Sequence, residues 1–586
     1  MEANTLLTGE GVRVAIEGCG HGTLDAIYDS VKRSSKARGW DGVDLVIIGG
    51  DFQAARNGAD LSVMAVPAKY RQLGDYHAYY SGSKKAPYLT LFVGGNHEAA
   101  AHMAELYYGG WVAHNIYYMG AANVLRLGPL RIAGMSGIWK EHYYHTTHEE
   151  RLPFRFRDVR SFYAVREEDV RKLLLLREPV DVGISHDWPL GIEQLGDVHD
   201  LLGKKPHFKS EIASNSLGNP AAAWVMDRLR PAYWFSAHLH TNFAAVKEYD
   251  PPGAPADSEE KEPAATTEDS KPNTNPDEID LDDADDASVK SGEAAQESTP
   301  EQKGKANANP DEIDLDDAED GIEEPKAPAP NTSAVSDELR AQLPASFAKP
   351  DNHNNNQPKP SSSLKPGQVP GQPVPSTITN QTTRFLALNK CLPGRKFLSV
   401  LPIQPLDPSN LKQYPPYASS PGKPRYKLSY DAEWLAIQRA FAPTLQIGVW
   451  GAEPPPDLGE AGYAPLLADA RAWVDEHVVR AGKLRVPLNF ARVAPAHRPH
   501  HDPEMVAGQP HEHTNPQTSA YCALLGVENK WWDASEEDRV ARRELGPTPA
   551  QWNGGAGERA GRRGRAAGGR ISGKGGKRAG RQDPGR

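Results

Sequence analysis

The chain has 586 residues, 53 of them glycine and 50 proline, with a mean hydropathy of −0.61; this excludes one continuous packed core and points to folded blocks joined by disordered chain. The formal net charge of −11 would argue against a polyanionic ligand only if it were evenly spread, and acidic and basic residues fall instead into separate blocks. Cys19, Cys391 and Cys522 form no CxxC pair, which excludes a disulfide framework and a zinc finger and fits a reducing compartment. With no apolar run near the roughly 18 residues of a membrane span and no cationic leader before an apolar segment, a soluble, non-secreted protein without membrane contact is expected.

Six apolar runs come first: Val12 to Glu17, Leu45 to Ile48, Leu89 to Val93, Leu130 to Met135, Val180 to Ser185 and Tyr233 to Ala237. Each is four to six residues long, rich in Val, Ile, Leu or aromatics, and most lead into a Gly, His or Asp cluster, as buried strands feeding functional loops do. Helix-compatible stretches lie between them, so residues 11–250 read as a layered α/β sandwich. Gly128-Pro129, between Val124–Leu127 and Leu130–Ala133, predicts a hairpin and therefore a mixed sheet.

From 251 to 378 the chain turns to Pro, Ala, Ser, Asn, Asp and Glu with scarcely an aromatic residue, a composition that cannot offset its ordering entropy. A disordered acidic linker is expected there, dispensable for chemistry. It carries Asn-Pro-Asp-Glu-Ile-Asp-Leu-Asp-Asp twice, at 275–283 and 309–317. The repeat reads either as a solvated spacer or as a short motif that docks a basic protein partner. Order is expected to return at Thr383 to Pro393 and at Tyr430 to Arg439, where Leu435 and Ile437 alternate with polar residues in a helix-compatible stretch. These predict a small C-terminal domain over 379–535. Residues 536–586 are rich in Gly and Arg, a cationic tail suited to RNA contact, to nuclear import or simply to solubility. The histidines at 497, 500, 501, 511 and 513 lie among Pro and Arg in a loop and are read as no metal site.

Chemistry concentrates at five strand ends: Gly18-Cys19-Gly20-His21-Gly22, Gly49-Gly50-Asp51-Phe52, Gly94-Gly95-Asn96-His97-Glu98, Ser185-His186-Asp187-Trp188-Pro189 and Ala237-His238-Leu239-His240. In extended chain, residues i and i+2 project to one side, so Cys19 with His21, and His238 with His240, can each offer two donors to one point. The neighbouring glycines let backbone approach an ion or a phosphate closely. Asp51 can bridge two cations through its two oxygens, while each imidazole and the Asn96 carbonyl fill one position. Together the clusters make a ligand set for two metals.

The GD, GNHE and His-x-His segments resemble the signature of calcineurin-like metallophosphoesterases, which implies a four-layered α/β/β/α sandwich with mixed sheets. One position departs from that signature. Where the superfamily opens with Asp-x-His, this chain has Cys19, and cysteine there resembles the RNA lariat debranching enzymes. Gly49–Gln53, Tyr107–Trp111, Ser185–Pro189 and Tyr233–His240 are also similar to that family, as is Thr383–Leu392 to its C-terminal domain. The resemblance implies one metal site of Cys19, His21, Asp51 and His240 and a second of Asp51, Asn96, His186 and His238, with His97 as the acid that protonates the leaving oxygen. It implies hydrolysis of the 2′,5′-phosphodiester at the branch of excised intron lariats during mRNA processing, in the nucleus, with two divalent cations drawn from Fe²⁺, Zn²⁺ and Mn²⁺. The Cys19 thiolate biases its site toward the softer Fe²⁺ or Zn²⁺.

Residues 139–166 interleave Arg155, Arg157, Arg160 and Arg166 with Tyr143, Tyr144, Phe154, Phe156, Phe162 and Tyr163. Cations that hold phosphates and aromatics that stack on bases are what branched RNA requires, although an ordinary helix with aromatic core contacts would read the same way. The position matches the debranching family's lariat-recognition insert, so Tyr143, Phe154, Arg155, Phe156, Arg157 and Arg160 are expected to bind substrate. Two other functions compete: a general phosphodiesterase or protein phosphatase on this fold, which Cys19 and the insert argue against, and a non-catalytic RNA-binding splicing factor, which the full ligand set and His97 argue against.

Overall fold

A computed structural model describes residues 11–250 and 369–531, apart from 418–423, 450 and 507, with isolated positions to 540. The linker at 251–368, both acidic repeats and the basic tail lie outside the described residues. Thirteen strands form among those described. The first five are β1 (Val12–Glu17), β2 (Leu45–Ile48), β3 (Thr90–Phe92), β4 (Gly110–Ala113) and β5 (Ile116–Tyr118). Next come β6 (Ala122–Leu127), β7 (Leu130–Met135), β8 (Val182–Ser185), β9 (Tyr233–Ser236) and β10 (Phe243–Glu248). The C-terminal part adds β11 (Thr382–Ala387), β12 (Leu398–Ile403) and β13 (Leu428–Tyr430).

The strands build two mixed sheets, β12-β1-β2-β3-β5-β4 and β10-β11-β9-β8-β7-β6-β13. The Gly128-Pro129 hairpin pairs β6 with β7 over six residues, Leu127 meeting Leu130. Period-two alternation sets the layers: Leu45 and Ile47 join Ile132, Ile184 and Phe235 in the core between the sheets. Val46 and Ile48 turn the other way, onto Leu24, Ile27 and Val31 of the helix Leu24–Ala37. Across the second sheet, Val124, Ala133 and Trp234 meet Val170 and Leu173 of Glu167–Leu174 and Ala222 and Val225 of Pro220–Leu229. The result is the expected four-layered α/β/β/α sandwich. No helix among the described residues is long and apolar enough to cross a membrane.

The C-terminal segment does not pack apart from the sandwich, because its strands complete both sheets. β11 inserts between β10 and β9, β12 lies antiparallel along all of β1, and β13 caps β6. Without β11, the backbone groups of β9 and β10 would lose their partners, a cost that ties the segment to the sandwich. The alternation of Leu435 and Ile437 belongs to a helix, Ala432–Phe441, whose Asp431 cap accepts from Trp434 N at 3.0 Å; the helix is buried on two sides, which hides its period. Order also resumes before 379. Arg228 Nη1 donates to Gly371 O at 2.8 Å and Pro373 O at 2.9 Å, and Ile378 is buried.

Candidate metal centre

All five clusters meet where the strands end. Close approach explains their glycines: a Cβ on Gly50 would lie 2.2 Å from His186 Nδ1, and one on Gly95 2.2 Å from Asp51 Oδ1. Of the nine non-glycine residues with positive φ among those described, five are here: His21, Asp51, Gln53, His238 and His240. Such backbone costs of order 1–3 kcal/mol per residue and persists where the surroundings enforce it, typically at functional sites.

The Asp51 carboxylate is the centre. Donor atoms of Cys19, His21, Asp51 and His240 all lie within 4.8 Å of one another, the one such group of Cys, His and carboxylate donors among the described residues. His21 Nε2 is 3.6 Å from Asp51 Oδ2 and 3.2 Å from His240 Nε2, and the His238 backbone N–H donates to Cys19 Sγ at 3.2 Å. On the other carboxylate oxygen, His186 Nε2 is 3.5 Å from Asp51 Oδ1 and 3.3 Å from Asn96 Oδ1. The His238 ring is 5.0 Å from that of His186. Around Asp51 the other six residues read from the sequence as ligands fall into two groups: Cys19, His21 and His240, and Asn96 and His186 with the His238 ring beside them.

Electrostatics keep these groups in ligand form. Burial opposes ionisation of Asp51, but His186, His97 and His21 outweigh it and hold its carboxyl far below the usual carboxylate range. Burial pushes His21 down to about 4 and also lowers His186 and His240, so the rings are neutral at pH 7 with a lone pair available. His186 Nδ1 donates to Gly49 O at 2.9 Å, leaving Nε2 facing Asp51. The Gln53 amide nitrogen Nε2 lies 3.0 Å from His21 Nδ1; an amide nitrogen only donates, so it holds that ring through the Nδ1 lone pair. Anchored rings of this kind are what metal ligands require, and the S, N and O donors fit divalent cations of borderline softness.

His97 is buried beside this group, with Nδ1 3.5 Å from Asp51 Oδ2 and its backbone N–H donating to Asp51 Oδ1 at 2.9 Å. It touches the carboxylate from outside the ligand ring. Two carboxyl groups were not singled out in the sequence. Glu98 accepts from Phe52 N (2.7 Å), Gln53 N (2.9 Å) and Gly95 N (3.1 Å), clamping the Asp51 loop to the Asn96 loop. Burial and then Asp51 raise it to about 8, against those three backbone donors. Glu17 is buried with neither carboxyl oxygen partnered, and burial and Asp51 push it well above its ordinary value. Its position one residue before the Gly18 cluster was the available signal.

The insert is rooted at the centre but largely satisfied within itself. Gly137 N donates to Gly94 O at 2.8 Å and Trp139 N to Asp187 Oδ2 at 3.1 Å. Phe154, expected to stack on a base, is 1% exposed in the core between the sheets, so that reading is corrected. Arg155 is spent on Asp158, at 2.6 Å. Phe156 is 63% exposed, with the Arg160 guanidinium 4.5 Å from its ring centre, and Arg157 stays half exposed while paired with Glu149. Tyr143 is half-buried beneath Arg166. Of the residues expected to bind substrate, Phe156, Arg157, Arg160 and the rim of Tyr143 remain at the surface.

This sandwich and the donor cluster at its strand ends define a calcineurin-like phosphoesterase, and residues 12–242 match that family. Residues 380–530 match the C-terminal domain of lariat debranching enzymes. Among curated proteins, the lariat debranching enzyme of Schizosaccharomyces pombe is 36% identical over 525 residues, covering 89% of this chain and 97% of that one. That of Danio rerio is 33% identical over 539 residues, 90% of this chain and 68% of its own. The Homo sapiens enzyme is 51% identical over 238 residues, 41% and 44% of the two chains. The chain belongs to the lariat debranching enzyme family.

Proposed function

We propose that this protein hydrolyses the 2′,5′-phosphodiester at the branch of lariat RNA, using two divalent cations held by the seven converging residues. The observation that carries the reading is the placing of Cys19, His21 and His240 around Asp51, in a chain 89% of which aligns with a debranching relative. Cys19, His21, Asp51 and His240 would hold one cation, and Asp51, Asn96, His186 and His238 the other. Bound there, the cations would supply Lewis-acid polarisation of the phosphate and a more acidic water. Water adds to phosphorus, the bond from phosphorus to the 2′-oxygen breaks, and the phosphate stays on the 5′-oxygen. His97 donates the proton that turns the departing 2′-oxygen into a hydroxyl. Phe156, Arg157 and Arg160 meet the RNA around the branch. The thiolate of Cys19 favours Fe²⁺ or Zn²⁺ in its site, with Mn²⁺ suited to the harder donors of the other. A nuclear location is supported by the Gly/Arg-rich segment at 536–586.

The test is to incubate purified protein with a synthetic branched RNA and a linear control and resolve the products on a gel. Debranching of the first alone is expected. Chelation should abolish it, and Fe²⁺, Zn²⁺ or Mn²⁺ should restore it better than Mg²⁺. Full activity with metal content near zero would overturn the metal reading, and equal cleavage of both RNAs would favour a general phosphodiesterase.

A further inference from the structure

The connection from β11 to β12 leaves one sheet and enters the other, and it crosses at the metal centre. β11 lies in the seven-stranded sheet and β12 in the six-stranded one. Between them, Lys390 forms a bridge with Cys19, Cys391 N donates to Cys19 O at 3.3 Å and Gly18 N to Phe397 O at 3.2 Å. The fit is tight: a Cβ on Gly18 would sit 2.1 Å from Asn389 O. The backbone of Lys390 is therefore held against a ligand-bearing strand end, and its side chain is half-buried. Among the described residues no carboxylate pairs with its ammonium.

From this placement we propose that Lys390 is a substrate-binding residue, its ammonium holding a phosphate of the RNA strand that adjoins the scissile one on the Cys19 side of the centre. Residues paired across a β-bridge project to the same face of the sheet, so the Lys390 side chain leaves the backbone on the same side as that of Cys19. His21 on that side is open to solvent, its side chain 21% exposed. A half-buried cation with no carboxylate partner is poorly placed to stabilise the fold and well placed to meet a phosphate. This crossing gives the C-terminal segment a contact with substrate in addition to its strands.

The proposal rests on the debranching reading, and the experiment separates the two. Equilibrium binding of branched and linear RNA is measured across a salt series in a His97→Ala background, where cleavage is slowed roughly 10²-fold, with intact RNA checked on a gel and metal content and melting temperature recorded alongside. Lys390→Gln should weaken branched-RNA binding about tenfold, as loss of one charged hydrogen bond does. It should also flatten the dependence of log affinity on log salt by about 0.7, the share of one single-strand phosphate contact. Lys390→Arg should restore both, and Lys390→Gln should keep its metal and its melting temperature. In steady state without the His97 change, the Lys390→Gln loss should fall on KM more than on kcat. An unchanged salt slope, or loss of metal in Lys390→Gln, would overturn the assignment, the latter by making Lys390 a support for Cys19. Failure of the debranching reading would show instead in the parent protein, as equal cleavage of branched and linear RNA.

Discussion

The metal centre and the insert at 139–166 are both built from residues that can bind RNA or metal, and the fold treats them oppositely. At the centre, Cys19, His21, His186 and His240 converge on one carboxylate, with backbone groups and Gln53 holding the rings in place. In the insert, Arg155 and Arg166 turn onto Asp158 and Glu150 and Phe154 sinks into the core, leaving Phe156, Arg157 and Arg160 toward solvent. The contrast teaches that a cluster of side chains is a site only where their mutual satisfaction is prevented. Five strand ends enforce that at the centre, whereas in the insert neighbouring carboxylates permit the pairing.

The sharpest break of the comparison is Asp51→Asn. It should release both cations and reduce cleavage beyond the 10–100-fold that changes outside the ligand shell typically cause, read by elemental analysis and by gel. Metal retained at two per chain would show that Asp51 is not shared. In the insert the corresponding change is Phe154→Ala, which should destabilise the fold by about 3–5 kcal/mol, as truncation of a buried ring does, seen in denaturant melts. A wild-type melt combined with weakened RNA binding would return Phe154 to the substrate surface.

The junction with the C-terminal segment uses arginine as the insert does. Arg131 is buried on β7, with Asp431 at 2.7 Å and Glu433 at 2.8 Å. Burial opposes ionisation of Asp431, but Arg131 and Arg126 overcome it and hold its carboxyl down at about 2. Because the folded value lies below the ordinary 3.8, this pair stabilises the fold above about pH 4 and is lost as pH falls toward 2. Asp431→Asn should cost about 3 kcal/mol at neutral pH, as removing one partner of a buried pair does, and should flatten the acid limb of the stability curve. An unaltered acid limb would mean that other carboxylates govern it.

Next in size is His97→Ala, expected to slow cleavage of branched RNA roughly 10²-fold with two cations retained. Metal loss would move His97 into the ligand set. The smallest effect is expected of Phe156→Ala, which should weaken branched-RNA binding by about 1 kcal/mol, the scale of one stacked base, with an unchanged melting temperature. No loss of binding would remove the insert from the substrate surface and widen the contrast with the centre.

Six strands, β1, β2, β3, β7, β8 and β9, were legible as short apolar runs, and Val12–Glu17 and Leu130–Met135 are bounded to the residue. The cluster of Cys19, His21, Asp51 and His240 was legible from its strand-end positions, but not through extended-chain alternation, since His21, His238 and His240 have left-handed backbone. Pairing partners are a different matter, since nothing in the pattern of residues 382–403 says that β11 splits β10 from β9 while β12 lines β1. The fates of Phe154, Arg155 and Lys390 were likewise settled only in three dimensions. Burial and ion pairing depend on what arrives from elsewhere in the chain: Gln509 against Phe154, Cys19 against Lys390. Sequence by itself determined the local chemistry, because which donors follow each strand is fixed by the order of residues in the chain. Which like residues bind substrate and which hold the fold was decided by tertiary structure, because a charge or an aromatic face is available to a ligand only when no neighbour has already satisfied it.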